Sequence, residues 1–386
     1  MKDTPDLHDT LVLVLCQHEK WLDVRHMKTL AWMMVGLIQS ASIALTDWAT
    51  FVVGRALIAQ STVRRFRRWL DNDRIVVHDL YGPLIQQALS EWGEHVLYLA
   101  LDTSLLWDKY CLVRISVVFR GRAVPVVWHV LEHGSSSVSY ASYKDLLDKA
   151  APLLPACCSV VFLADRGFAD LELMRHLKRL GWHWRIRIKS SFWIYRRNHQ
   201  RCKPSRLGLQ PGHAYFWHHV WITERHFGPV HVALARLQSG NEYWYVVSDQ
   251  LTGLETFDDY GRRFNIEENF LDDKSNGFQL ESSLIRSADA LSRLCCVLAM
   301  TTLYLVAQGV DVVAQGKRRW VDPHWERGSS YLKIGWSWVR KALVTTRCSL
   351  LTHLRLPGEP DPEPAISSRQ QLLRQRGPCF SIEFSR

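Results

Sequence analysis

The chain has 386 residues, 47% hydrophobic and 22% charged, a balance that excludes wholesale disorder and is enough for a sizeable core plus one or two accessory domains. A formal net charge of +10 favours an anionic partner, of which nucleic acid is the commonest. Nine cysteines with no C-x-x-C spacing argue against a disulfide framework or a structural zinc site and for a reducing compartment.

The N-terminal stretch Met1 to Asp6 has no charged segment leading into an apolar one, so no secretory signal is visible and a cytoplasmic location is expected. Two apolar stretches, Thr29 to Thr46 and Leu294 to Gln308, invite a membrane reading. The first is broken by Gly36, Gln39, Ser40 and Ser42, and the second falls short of the ~20 residues a spanning helix needs. Both are read as buried helices, with no membrane partner.

Residues 7 to 90 carry helical spacing with breaks near Gly54 and Asn72. Within them Ser61 to Leu70 opens on a good helix-capping residue and sets Arg64, Arg65, Arg67 and Arg68 around Phe66 and Trp69, the composition of a second helix of a helix-turn-helix lying on DNA. From His95 the pattern turns to strands: His95 to Asp102, a hairpin of Cys111 to Phe119 and Ala123 to Val130, and Ser159 to Asp165 after a helix over Tyr143 to Leu154. A helix over Leu171 to Leu180 and a strand over His183 to Lys189 follow. Strand, strand, strand, helix, strand, helix, strand is the order of a ribonuclease H-like core, an α/β fold with a mixed five-stranded sheet. Its first and fourth strands are neighbours, which would bring Asp102 and Asp165 together at one end.

Short aromatic strands fill Ser190 to Asp249 and read as a β-rich subdomain inserted into that core. Beyond Glu281 helices return, with basic segments at Lys317 to Trp320 and Trp336 to Lys341. The Pro-rich stretch from Pro357 reads as disordered. The expected layout is an all-helical DNA-binding domain (1–90), the first part of the core (91–189), the insertion (190–250), a core helix (251–290), a helical C-terminal region (291–356) and a tail (357–386).

Tyr260 to Lys274 reads as one helix on which Tyr260, Arg263, Glu267 and Lys274, spaced by three, four and seven, share a face. A carboxylate held between long cations suits a place where a metal meets a phosphate backbone. Phosphodiester chemistry with two Mg²⁺ ions needs two or three Asp/Glu converging from different elements, and Asp102, Asp165 and Glu267 meet that need. Three such carboxylates repel one another unless cations compensate them. Singly, each is an ordinary turn former or surface ion pair, and Glu268, Asp272 and Asp273 are rivals to Glu267.

Together these residues resemble the DDE transposases of bacterial insertion sequences, in particular the insertion-sequence-four group with its spaced tyrosine, arginine, glutamate and lysine. The contexts Leu101-Asp102-Thr103 and Ala164-Asp165-Arg166-Gly167-Phe168 are similar to the family's two aspartate motifs, and the likeness spans roughly residues 95 to 285. The resemblance implies metal binding by Asp102, Asp165 and Glu267 (two Mg²⁺, with Mn²⁺ able to substitute). It implies DNA contacts from Tyr260, Arg263 and Lys274, and a flipped base stacked on a tryptophan of the insertion. Trp244 is the best placed for that role, with Trp193, Trp217 and Trp221 as competitors. Arg187 and Lys189, alternating onto one strand face, would also reach DNA.

The activity implied is cut-and-paste transposition through a hairpin, by a homodimer acting on double-stranded terminal inverted repeats and target DNA. A ribonuclease H-like nuclease or resolvase with the same acids, and an idle DNA-binding relic of a mobile element, remain as other readings.

Overall fold

The computed structural model describes residues 3–17, 21, 23–54, 56–197, 200–238, 242–274, 277–366 and the backbone of 381–383. Five helices come first: α1 (Thr4–Leu15), α2 (Val24–Ser40), α3 (Leu45–Trp48), α4 (Ala59–Leu70) and α5 (Val77–Ala88). They are followed by β1 (Val96–Leu106), β2 (Tyr110–Phe119), β3 (Arg122–Glu132), α6 (Lys144–Ala150), β4 (Ser159–Ala164), α7 (Leu171–Arg179) and β5 (His183–Arg187). The strands β6 (Ile194–Tyr195), β7 (Arg201–Cys202), β8 (His213–Ile222), β9 (Phe227–Arg236) and β10 (Tyr243–Ser248) lead to α8 (Glu255–Gly261), α9 (Phe264–Lys274), α10 (Ala288–Ala314) and α11 (Tyr331–Val344). A last strand, β11 (Ser381–Glu383), lies parallel to β8.

The fold is mixed α/β around one large sheet, with strand order β3-β2-β1-β4-β5-β10-β9-β8-β6-β7. β1, β4 and β5 are parallel, and β2 and β3 are antiparallel neighbours of β1. The inserted strands do not close on themselves as a separate β unit. β10 pairs with β5 at Val246↔Arg187, Val247↔Ile186 and Ser248↔Arg185, so the insertion continues the core's own sheet. An unpaired β5 would leave a row of open backbone groups, which β10 covers.

β1 also departs from expectation: it runs on past Asp102 to Leu106, paired with β2, although its pairing with β4 stops at Leu101↔Ala164. Asp102 thus stands where the parallel sheet ends but not where the strand ends. β2 is buried along its whole length, which explains its near-continuous apolar sequence.

Among the described residues, helix α10 is the element long and apolar enough for a membrane, yet 94% of its most apolar window is buried in the protein. Helix α11 crosses it at backbone contact: a methyl on Gly335 would lie 1.8 Å from the Leu305 carbonyl oxygen, and one on Gly309 2.0 Å from that of Tyr331. No side chain fits at either position. The earlier stretch from Thr29 is α2 followed by α3, bent by 98°.

Helix α4 begins at Ala59 rather than at Ser61, behind Ile58, with no side-chain cap. The composition of the tail from Pro357 predicts disorder. Through residue 366 it instead lies on the protein, because its carboxylates meet buried arginines: Arg327 holds Asp361 at 2.8 Å and Arg318 holds Glu363 at 2.7 Å. Proline-rich composition signals a segment that cannot build its own core, and the partner's charges are invisible locally. Most of its remainder lies outside the described residues.

Candidate active site

Because the β1–β4 pairing ends at Leu101↔Ala164, the next residues, Asp102 and Asp165, emerge side by side. Asp102 accepts from the Thr103 amide at 2.8 Å and from Arg263 Nη1 at 2.9 Å. Burial pushes its carboxyl up to about 6. Arg263 and the Thr103 amide pull it back, while Glu267 and Asp165 push it further up. Asp165 opens a short 3₁₀ turn, Arg166–Phe168, and accepts from the Tyr260 hydroxyl at 3.2 Å.

Tyr260 and Glu267 stand on two helices rather than one. α8 stops at Gly261 and α9 restarts at Phe264, joined by tightened bonds from Arg263 N to Tyr260 O (3.0 Å) and from Ile266 N to Arg263 O (3.0 Å). Such three-residue bonds are common where a helix is interrupted, and the glycine weakens the helix there. Arg263 and Lys274 nevertheless reach β1, while Tyr260 reaches Asp165 after β4. The Arg263 guanidinium spans from Asp102 to Glu267 Oε1 at 2.5 Å, and Lys274 donates to the Leu105 carbonyl at 2.6 Å and pairs with Glu281 at 3.0 Å. Burial pushes the Tyr260 phenol up to about 12, so it remains a proton donor.

Among the described residues no three His, Cys, Asp or Glu side chains stand where they could hold an ion together. Arg263, 4% exposed, separates Asp102 from Glu267. In donor chemistry the three carboxylates, brought by β1, the end of β4 and α9, suit a hard divalent ion, and the guanidinium supplies the positive charge that such a cluster requires. Closing them around one point requires Arg263 to let go.

The rivals of Glu267 face elsewhere. Asp273 is buried against Arg114 at 2.6 Å, while Asp272 and Glu268 face Arg122 at 3.2 and 3.5 Å. Arg114, directly across from Asp102 in β2, also donates to Asn269 at 2.7 Å, so it clamps α9 onto the sheet. The sequence carried no sign of that role, which follows only from strand register.

Burial, opposed by Arg122 and reinforced by Asp273, pushes the Asp272 carboxyl from its usual 3.8 up to about 6. Between those values the folded chain holds a proton that the unfolded chain releases, so this group makes stability fall as pH rises from about 4 to about 6. Asp272→Asn is expected to flatten that fall by about 2 kcal/mol, read by chemical denaturation at the two ends of the window.

Trp244 packs on Tyr260 and Phe264, with ring centroids 5.3 and 5.9 Å away, and donates to Glu242 at 2.9 Å. Trp193 lies instead under Arg201 and Lys203, Trp217 is buried under Arg196, and Trp221 pairs into β6. Arg187 donates to the Tyr243 carbonyl at 2.7 Å, whereas Lys189 is exposed beyond the end of β5. Arg187 lines a cavity of about 460 Å³ with Tyr243, Tyr245 and Arg166, the last of which adjoins Asp165 and was missed in the sequence. On α4, which packs on α2, α3 and α10, Arg64, Arg67 and Arg68 are exposed, while Arg65 is half-buried and its burial lowers its pKa.

The transposase DDE domain family matches residues 108–304, just over half of the chain. That span takes in Asp165, Tyr260, Arg263, Glu267 and Lys274, and Asp102 lies just ahead of it. Among solved structures, the cryo-EM structure of a piggyBac transposase synaptic complex with hairpin DNA is similar at 10% identity and a TM-score of 0.42, over 97% of this chain and 90% of that one. No curated protein matches the chain in sequence.

Proposed function

Because the chain belongs to the transposase DDE domain family and is a DDE-type DNA transposase, we propose that it performs Mg²⁺-dependent cut-and-paste transposition of a bacterial insertion sequence of the insertion-sequence-four group. The observation that carries this reading is the emergence of Asp102 and Asp165 from adjacent parallel strands, with Glu267 turned toward them across Arg263. The order β3-β2-β1-β4-β5 supports a ribonuclease H-like core around them.

Two divalent ions held by Asp102, Asp165 and Glu267 would activate the attacking oxygen and stabilise the leaving one. The chain's own residues do the rest. Tyr260 keeps its proton and fixes one oxygen of Asp165, leaving the other free. Arg263, once released from Asp102 and Glu267, presents a two-pronged donor suited to a phosphate, and Lys274 adds a point charge beside it. Trp244 and its aromatic neighbours offer a stacking face for a base drawn out of the duplex.

Hydrolysis at each transposon end gives a 3′ hydroxyl and a 5′ phosphate. The hydroxyl attacks the opposite strand, forming a hairpin and releasing flanking DNA. Hydrolysis reopens the hairpin, and the regenerated hydroxyl joins target DNA. A homodimer on two paired inverted repeats fits this sequence of events.

The test supplies a precleaved end with a free 3′ hydroxyl, a supercoiled plasmid and Mg²⁺. End joined to plasmid is expected. Hydrolysis without joining would identify a nuclease and reject the proposal.

A further inference from the structure

Residues 357–366 form an acidic strap across a basic part of the protein. The chain is first pinned where Leu356 N donates to the Ala88 carbonyl at 2.8 Å and Trp92 Nε1 to the Leu356 carbonyl at 2.7 Å. Arg327 then grips Asp361 with both nitrogens, at 3.1 and 2.8 Å, and Tyr331 donates to the same carboxylate at 2.7 Å. Arg318 holds Glu363 at 2.7 Å, Arg120 donates to the Glu359 carbonyl at 3.1 Å, and Ile366 N donates to the Arg327 carbonyl at 2.8 Å.

The two guanidiniums are buried, at 7% exposure for Arg318 and 3% for Arg327. Arg318 has a second carboxylate, Asp322, at 3.5 Å, but among the described residues the only ion pair of Arg327 is with the strap. A cation buried this way is costly without a partner, so lifting the strap creates a demand for another anion.

Between strap and core lies a cleft of about 1330 Å³, lined by Arg120, Arg122, Arg262 and Arg327. Glu268, paired with Arg122 at 3.5 Å, is the core carboxylate on its wall. Arg262 lies over the Tyr98 ring at 4.8 Å with its side chain 51% exposed. Gly261, Phe264 and Asn265 of the α8–α9 junction form one wall, the same junction that carries Arg263 toward Asp102.

We propose that this cleft is a binding surface for a nucleic-acid phosphate backbone beside the active site, and that the strap, which forms one of its walls, is an intramolecular competitor for its arginines. Carboxylates and phosphates use the same guanidinium fork, so an acidic extended segment can stand where a phosphodiester strand would run. A tethered segment competes at high effective concentration, and a polyanion making several contacts can displace it. The proposal rests on the DNA-transposase reading only for the identity of the polyanion.

The test measures binding of the full-length chain to a labelled random-sequence duplex of about 30 base pairs, without divalent ions, across a salt series. Neutralising the strap with Asp361→Asn and Glu363→Gln is expected to tighten binding roughly 10-fold and to steepen the salt slope by about 1, for the freed Arg327. Adding Arg120→Ser and Arg262→Ser should return the affinity to the wild-type value or below. Unchanged or weaker binding by the neutralised strap, or a gain that survives loss of those arginines, overturns the proposal. Glu363→Gln alone leaves Arg318 its Asp322 partner; it should show a smaller gain of the same sign, and no gain in a chain that melts like wild type counts against the cleft. Since no metal or end sequence enters this assay, it can fail while end joining succeeds, and the reverse.

Discussion

Asp102→Asn and Glu267→Gln are each expected to lower joining of a precleaved end roughly 10³-fold or more while leaving DNA affinity within a few-fold of wild type. Both substitutions keep shape and remove the charge that a divalent ion requires. Glu268→Gln is the discriminating control, because Glu268 faces Arg122 at 3.5 Å and not Arg263. Its joining rate should stay within a few-fold of wild type. A large loss in Glu268→Gln together with a small one in Glu267→Gln would move the third acid by one residue and turn α9 by about 100°.

The second large effect concerns Arg263, whose guanidinium lies 2.9 Å from Asp102 and 2.5 Å from Glu267. It supplies the charge that a divalent ion would bring, so an ion held there would compete with it for the same carboxylates. Arg263→Ala is expected to bind Mn²⁺ about 10-fold more tightly at pH near 8, measured by calorimetry, because a like charge has left the site. Joining should fall at least ~100-fold in the same variant, since the phosphate loses its two-pronged donor. Arg263→Lys keeps the charge without the fork and should restore ion affinity to near the wild-type value but not joining. Unchanged or weaker ion binding by Arg263→Ala would remove the competition from the mechanism.

Much of the site was legible because its signals are local. Spacing within Tyr260 to Lys274 and two aspartates following apolar runs need no tertiary knowledge, and the structure brings Tyr260 to Asp165, Arg263 to Asp102 and Glu267, and Lys274 to the Leu105 carbonyl. What escaped depends on partners distant in sequence. Nothing near Arg114 says that it will hold Asn269 and Asp273 across the sheet, and nothing near Pro357 says that Arg318 and Arg327 await its carboxylates. The extension of the sheet by β10 was hidden for the same reason: alternation identifies a strand, and its edge partner is chosen elsewhere. The break at Gly261 was a local sign, outweighed by a spacing pattern that a three-residue turn preserves.

The most direct measurement is the anomalous scattering of Mn²⁺ in crystals of the chain bound to a transposon end. Signal between Asp102 and Asp165, with Glu267 turned onto it and Arg263 moved to a phosphate, is the predicted result. Signal elsewhere, or an ion bound while Arg263 still spans Asp102 and Glu267, would contradict it.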